Sequence, residues 1–344
     1  MKCYISKNYR HLGGGGDKAK TDVENIMTSL GYRNIGLPQR REESSVKAYF
    51  ITLASVMRAV TRLHRGDILV LQYPLKKYYD FVVRRAVAKG VRVVTLIHDL
   101  GSFRRKKLTV EEEIKRLSYS SVVIVHSVAM RRWLTDNGLK VPMVLLGLWD
   151  YLSDSKPSVA MRDAASRPEL MFAGNCSPVA NGWIYKLGKE EPDVDVILYG
   201  NGFDSEAAAP NLHSLGHVES DTLIATARGQ YGVAWYGDSL DGGEGALGEY
   251  LQYNSPHKIS LYLRSGMPVI IWDRAGLADV VRRLGVGICV PSLRGIGKVL
   301  AEITPEQYAA MLENVNRVSE ALSRGESVGA ALAGAEKIIA KNIE

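Results

Sequence analysis

Lys258 is the residue whose placement most asks for chemistry. The run from Tyr250 to Val290 reads as helix, strand, helix, strand, and Lys258 falls in the first turn of the first helix. Ser255 is an N-cap type, Pro256 suits the first helical position, and Ile259, Tyr262, Leu263 and Gly266 recur at helical spacing. The helix macrodipole disfavours a cation there by a few tenths to about 1 kcal/mol. The free N–H groups of the same turn call for an anion. A phosphate held by both the N–H groups and Lys258 reconciles the two, and Asn254 and His257 stand beside it. The alternative is a solvated surface lysine.

Three further stretches carry reactive types. Gly13–Gly16 follow a strand and precede a helix, so that backbone can approach a phosphate or sugar closely. The run is not a P-loop, because Lys18 is followed by Ala19. A relaxed dinucleotide fingerprint fits as Gly14-x-Gly16-x-x-Ala19, but the second strand ends Leu37-Pro38-Gln39-Arg40 with no acid for a ribose. Arg40 and Arg41 keep an NADP-dependent oxidoreductase among the rival readings. His98-Asp99 closes a strand, where a general base could reach an acceptor hydroxyl, and Asp17 at the loop–helix junction competes for that role. Asp193-Val194-Asp195 matches a metal-holding D-x-D pattern but precedes a strand, which favours a solvated loop. No cluster has metal-ligand spacing, and there is no G-x-S-x-G elbow.

The elements that must position these residues alternate. Strands are expected near residues 2–6, 35–37, 67–72, 91–97, 122–125 and 143–146, with helices between them. The second helix, Val46 to His64, is given an apolar face of Phe50, Leu53, Val56, Met57 and Val60. Residues 147–168 lack periodicity, and alternation resumes at Leu170. The pattern predicts an α/β chain of two doubly wound domains: 1–150, a linker over 151–168, and 169–325, with a last helix over 326–344. Ligands of such sheets bind beyond the carboxyl ends of the strands.

Composition narrows the class. The chain has 344 residues, 46% apolar and 24% charged, with no apolar run of membrane-spanning length and no apolar leader core. Cys3, Cys176 and Cys289 lie far apart, which suggests reduced thiols in a cytoplasmic protein. Residues 1–150 hold 27 Lys+Arg against 13 Asp+Glu, whereas residues 151–344 hold 17 against 24. Basic pairs such as Lys76-Lys77 and Arg84-Arg85 suggest peripheral contact with the inner face of a membrane. They match no nucleic-acid module, so nucleic acid is not expected as a partner.

With SKNY (Ser6–Tyr9), DKAKTDVENI (Asp17–Ile26), Tyr73-Pro74, IHDL (Ile97–Leu100), FAGN (Phe172–Asn175), LYG (Leu198–Gly200) and GEYLQYNSPHKISLYLRSGMPVIIW (Gly248–Trp272) in order, the chain resembles the GT-B glycosyltransferases. Within them it resembles the bacterial glucosyltransferase 3-like glucosyltransferases and galactofuranosyltransferases, over nearly its whole length. The resemblance implies a GT-B fold, two Rossmann-like domains facing across a cleft, with the last helix returning to the first domain. It implies a UDP-sugar donor, a glycan acceptor on a lipid carrier or glycoprotein, and no metal or other cofactor; a homo-oligomer is expected as well. Carried over, Lys258 and Asn254 face the diphosphate, with His257 beside them. Asn175, Tyr199, Gly200, Gly216, His217 and Tyr236 line the nucleotide side, and Glu249 meets the ribose. Gly14, Gly15, Gly16 and Asp17, with Lys18 alongside, meet sugar and acceptor. Asp17, His98 and Asp99 are the candidate bases. The four-glycine run and Cys176-Ser177-Pro178 depart from the family pattern and leave sugar and acceptor open. A non-catalytic module of the same fold is the rival reading.

Overall fold

The computed structural model describes residues 1–6, 8–9, 15–75, 78–104, 108–158 and 167–341. Gly13, Gly14 and residues 159–166 of the predicted linker lie outside them. The chain divides into two units, Met1–Asp150 with Gly325–Glu344, and Tyr151–Arg324.

The first unit has β1 (Lys2–Tyr4), β2 (Asn8–Tyr9), β3 (Arg33–Asn34), β4 (Arg40–Arg41), β5 (Ile68–Tyr73), β6 (Arg92–Ile97), β7 (Val122–Val125) and β8 (Met143–Leu145). Its helices are α1 (Gly15–Ser29), α2 (Ser45–Arg62), α3 (Tyr79–Ala88), α4 (Gly101–Arg104), α5 (Val110–Leu117) and α6 (Val128–Asp136). The second unit has β9 (Glu169–Ala173), β10 (Asp195–Tyr199), β11 (Leu212–Ser214), β12 (Tyr231–Ala234), β13 (Val269–Trp272) and β14 (Gly287–Val290). Its helices are α7 (Pro178–Asn181), α8 (Trp183–Glu190), α9 (Ser220–Thr226), α10 (Gly245–Tyr250), α11 (His257–Arg264), α12 (Ala278–Leu284), α13 (Ile296–Ala301) and α14 (Pro305–Ser323), after which α15 (Glu326–Lys341) returns to the first unit.

Each unit is built on a six-stranded sheet, ordered β3-β1-β5-β6-β7-β8 and β11-β10-β9-β12-β13-β14. Every described pairing is parallel, for example Cys3 with Leu69 and Met171 with Gly232. Parallel strands need crossover helices and are covered on both faces, so they read as unbroken apolar runs. Val122–Val125 (VVIV) and Val269–Trp272 (VIIW) are such runs, and all eight residues are buried. The strand order reverses between β1 and β5 in the first unit and between β9 and β12 in the second. A doubly wound sheet opens a crevice at that reversal, beyond the carboxyl ends.

Local signals start many helices. Thr109 and Glu112 close a capping box on α5, and Thr304 and Gln307 close one on α14. Asp150 accepts from Ser327 N (3.1 Å) and Val328 N (2.7 Å) and so caps α15, which packs on β7 and β8.

Three expectations are corrected. The strand expected at 35–37 is β3, Arg33–Asn34, because its partner β1 ends at Tyr4, whose carbonyl takes the last ladder bond from Ile35 N (3.0 Å). Helix α11 begins at His257, one residue late, with Pro256 at the cap position and no side-chain cap from Ser255. On α2 the buried face is Ser55, Val56, Ala59 and Val60, small residues that allow close packing, while Phe50 and Met57 are exposed. Among the described residues, no helix is long and apolar enough to cross a membrane.

Candidate active site

In the second unit the reversal point is occupied by Lys258. Its ammonium lies 4.0 Å from the centre of the Phe172 ring on β9 and 4.4 Å from that of Tyr236, two residues past β12. Helix α11 delivers this charge from the side because its buried face, Ile259, Tyr262 and Leu263, packs beside the sheet. Tyr262 fixes that packing, its hydroxyl donating to Val233 O (3.2 Å) and accepting from Ala173 N (3.0 Å). At the other end of α11, Arg264 donates to Tyr151 O (3.1 Å), Ser153 O (2.6 Å) and Ser319 Oγ (3.0 Å). The helix is thus held at several points along its length.

No carboxylate pairs with Lys258 among the described residues. Desolvation pushes its pKa down to about 7. The two ring faces pull the other way, since a ring quadrupole favours the cation by about 0.5–2 kcal/mol. A cation so placed, at a helix start without a side-chain cap, is suited to an anion.

The floor beside it is laced by backbone bonds between strand ends. Gly174 N donates to Tyr199 O and Gly200 N to Gly216 O, both at 2.8 Å, and Cys176 N donates to Asn201 O at 2.8 Å. Gly200 has φ +145°, and a Cβ there would lie 1.7 Å from Gly174 O, so only glycine fits. A Cβ on Gly174 would lie 3.6 Å from the Lys258 ammonium.

The predicted residues of this unit sort accordingly. Asn175, Gly200 and Gly216 join the floor, and Tyr236 flanks the lysine. Asn175 Oδ1 accepts from Ser177 N (2.9 Å), which shapes the loop entering α7. Tyr199 contributes its backbone only, because its ring is buried and its hydroxyl accepts from Arg228 N (3.0 Å). His217 is exposed, 3.5 Å from Glu219, and Glu249 is exposed on α10. His257 stacks on Tyr151 with ring centres 4.7 Å apart. Asn254 Oδ1 is buried with no hydrogen-bond partner among the described residues. As an acceptor it suits a ligand hydroxyl or N–H better than a phosphate oxygen. Asp195 of the D-x-D pattern pairs with His213 (3.2 Å) and Arg167 (3.6 Å) at the amino end of β10.

The first unit gathers different chemistry at its strand ends. His98 Nε2 lies 2.7 Å from Gln72 Oε1, and Gln72 Nε2 donates to Lys20 O (3.3 Å), which fixes the amide's orientation. Facing that amide oxygen, Nε2 of His98 is the donor. The His98 ring stacks on Trp149 at 4.6 Å, and His126 meets the same indole edge-on at 5.3 Å. Burial pushes the His126 pKa down to about 4, so it is neutral, with Nε2 donating to Ile97 O (2.7 Å). Asp99 is half-buried next to His98. The loop after them is held by Glu113, which is buried and accepts from Gly101 N (2.7 Å), Ser102 N (3.0 Å), Ser102 Oγ (2.5 Å) and Tyr73 OH (2.8 Å). Gly15 and Gly16 open α1, with Asp17 and Lys18 in its first turn. Lys18 is engaged by Asp22 at 2.5 and 2.6 Å. Gly14 lies outside the described residues.

Sequence reasoning did not single out Phe172, Trp149 or Glu113. For Phe172 a signal existed, an aromatic one position before the end of a buried strand, but it looks the same as any core residue.

Two doubly wound parallel sheets in one chain, the second presenting a desolvated lysine at its reversal point, define a GT-B protein. Solved structures agree on the fold. A sucrose-phosphate synthase from Thermosynechococcus elongatus matches with TM-score 0.63 and 13% identity, over 99% of this chain and 100% of that one. The lipopolysaccharide outer core galactosyltransferase WaaB matches with TM-score 0.59 and 10% identity, over 97% and 99%. Family models for the glucosyltransferase 3-like N-terminal and C-terminal domains match residues 2–148 and 170–335, and the chain belongs to this family of glycosyltransferases. It is similar to the beta-1,6-galactofuranosyltransferase WbbI of Escherichia coli, with 28% identity over 90% of this chain and 91% of that protein. Glucosyltransferase 3 of Streptococcus gordonii is 27% identical over 76% of each chain. The chain is therefore an enzyme that transfers a sugar, and the non-catalytic and oxidoreductase readings give way.

Proposed function

We propose that this enzyme moves a hexose, glucose or galactofuranose, from a UDP-sugar to a glycan acceptor on a lipid carrier or glycoprotein, without a metal. The observation that carries the reading is the Lys258 ammonium, held between Phe172 and Tyr236 with no carboxylate against it among the described residues. In the proposed step the bond from the sugar's anomeric carbon to the β-phosphate oxygen breaks. Its electron pair passes to that oxygen, and the new negative charge is met by Lys258 and the first-turn N–H groups of α11. These donors are in place before the reaction, so they stabilise the leaving group without reorganising. The acceptor oxygen bonds to the anomeric carbon as its hydroxyl gives up the proton to Asp17 or to the His98-Asp99 pair. The names of the similar proteins, a galactofuranosyltransferase and glucosyltransferases, support the two hexoses as donor sugars.

Calorimetric titration with UDP, UDP-glucose, UDP-galactose and UDP-galactofuranose, each with and without EDTA, tests this. Micromolar binding is expected, tightest for the true donor. A cooperatively melting protein that binds none of them would overturn the donor assignment, and binding that EDTA abolishes would overturn metal independence.

A further inference from the structure

Helix α2 is apolar over one broad arc, and only part of that arc is covered. Ser55, Val56, Ala59 and Val60 face the interior of the first unit. On the adjoining flank Val46, Tyr49, Phe50 and Met57 are 66%, 40%, 61% and 46% exposed, with half-buried Leu53 between them. Positions 46, 49, 50, 53 and 57 recur at the helical period and form one stripe. Tyr49 continues it to the next helix, lying 5.2 Å from Phe50 and 6.4 Å from Tyr78. A large aromatic and a methionine standing clear of the surface on one helix form a patch rather than scattered singles.

The charge of the helix selects what covers it. About one position round the helix from the stripe run Lys47 and Arg58, with Arg62 further round, all exposed. The eighteen residues of α2 include no aspartate or glutamate. A second copy meeting this face symmetrically would bring like charges together with no acid on α2 to relieve them. An anionic lipid leaflet satisfies both features, the stripe entering the acyl boundary and the basic row lying among the headgroups. We propose that α2 is the element by which this enzyme lies on an anionic membrane surface. The inference is independent of the donor reading, because none of these residues belongs to the proposed sites.

Flotation of the full chain with vesicles tests it, using phosphatidylcholine alone and phosphatidylcholine with phosphatidylglycerol. The expected result is binding to the anionic vesicles only, weakened as salt rises. Phe50→Ser with Met57→Ser, and separately Lys47→Glu with Arg58→Glu, should each lower partitioning at least tenfold while the melting temperature and UDP binding stay at wild-type values. Wild-type protein that fails to float, or paired variants that float like wild type, overturns the proposal. So does a Phe50→Ser, Met57→Ser protein whose sedimenting mass falls while its flotation is unchanged, since the stripe would then be a contact between copies. Loss of UDP binding by wild-type protein would bear on the donor reading alone.

Discussion

The two units share a sheet plan and differ in what stands beyond the strand ends. In the second unit the Lys258 ammonium is packed between two rings over a glycine floor. In the first, a stacked imidazole, an indole, an amide and a second, neutral imidazole face one another, and the buried carboxylate of Glu113 is satisfied by four donors. The contrast lies in which polar groups have partners. An ammonium held away from carboxylates, at a helix start, is preorganised for a charge that arrives with a ligand. A network already satisfied holds a loop and a ring in place. One scaffold therefore presents two different polar settings through the residues at its strand ends.

The sharpest way to break that contrast is Lys258→Ala. Transfer should fall about 10²–10³-fold with the melting temperature little changed. Transfer at the wild-type rate would remove the phosphate role from the second unit. Glu113→Ala probes the other side. It strands buried donors from Gly101, Ser102 and Tyr73, and should destabilise the first unit by about 3 kcal/mol in denaturant unfolding. UDP affinity should survive it under native conditions, and a loss there would show that the two regions are not separable in this way.

The pH dependence of UDP binding sharpens the comparison further. In the free protein the Lys258 pKa is depressed from 10.5 to about 7. A bound diphosphate restores the charged form, so above pH 7 binding takes up a proton. The Kd should rise by up to about tenfold per pH unit between 7 and 10.5. Calorimetry in buffers of different ionisation enthalpy reads that proton directly. For folding without ligand the sign is opposite. The unfolded chain binds the extra proton in this window, so Lys258 contributes stability above its ordinary pKa that is lost as pH falls through about 7. The smallest effect is expected from Phe172→Leu, which keeps an apolar filling but removes one ring face. It should change UDP affinity only a few-fold, in line with about 0.5–2 kcal/mol for such a contact, and shift the pH profile of binding downward.

Much of this was legible in the amino-acid order. Parallel strands buried on both faces read as apolar runs, so Val122–Val125 and Val269–Trp272 announced themselves, and the Thr109-x-x-Glu112 and Thr304-x-x-Gln307 boxes marked helix starts. Lys258 stood out because a cation in a first turn conflicts with the local dipole, a conflict visible without any tertiary contact. Periodicity also found both apolar stripes of α2 but merged them into one face, because a repeat of 3.6 residues tells which residues share a side and not which side meets the sheet. Only the tertiary structure could decide that Phe50 and Met57 stay outside and that Tyr199 turns into the core. It alone brought Phe172 and Tyr236 around Lys258, and Trp149 onto His98. The physical reason is range: caps, dipoles and periods act within a few residues along the chain. Desolvation and ring contacts depend on which strand ends the sheet order makes neighbours.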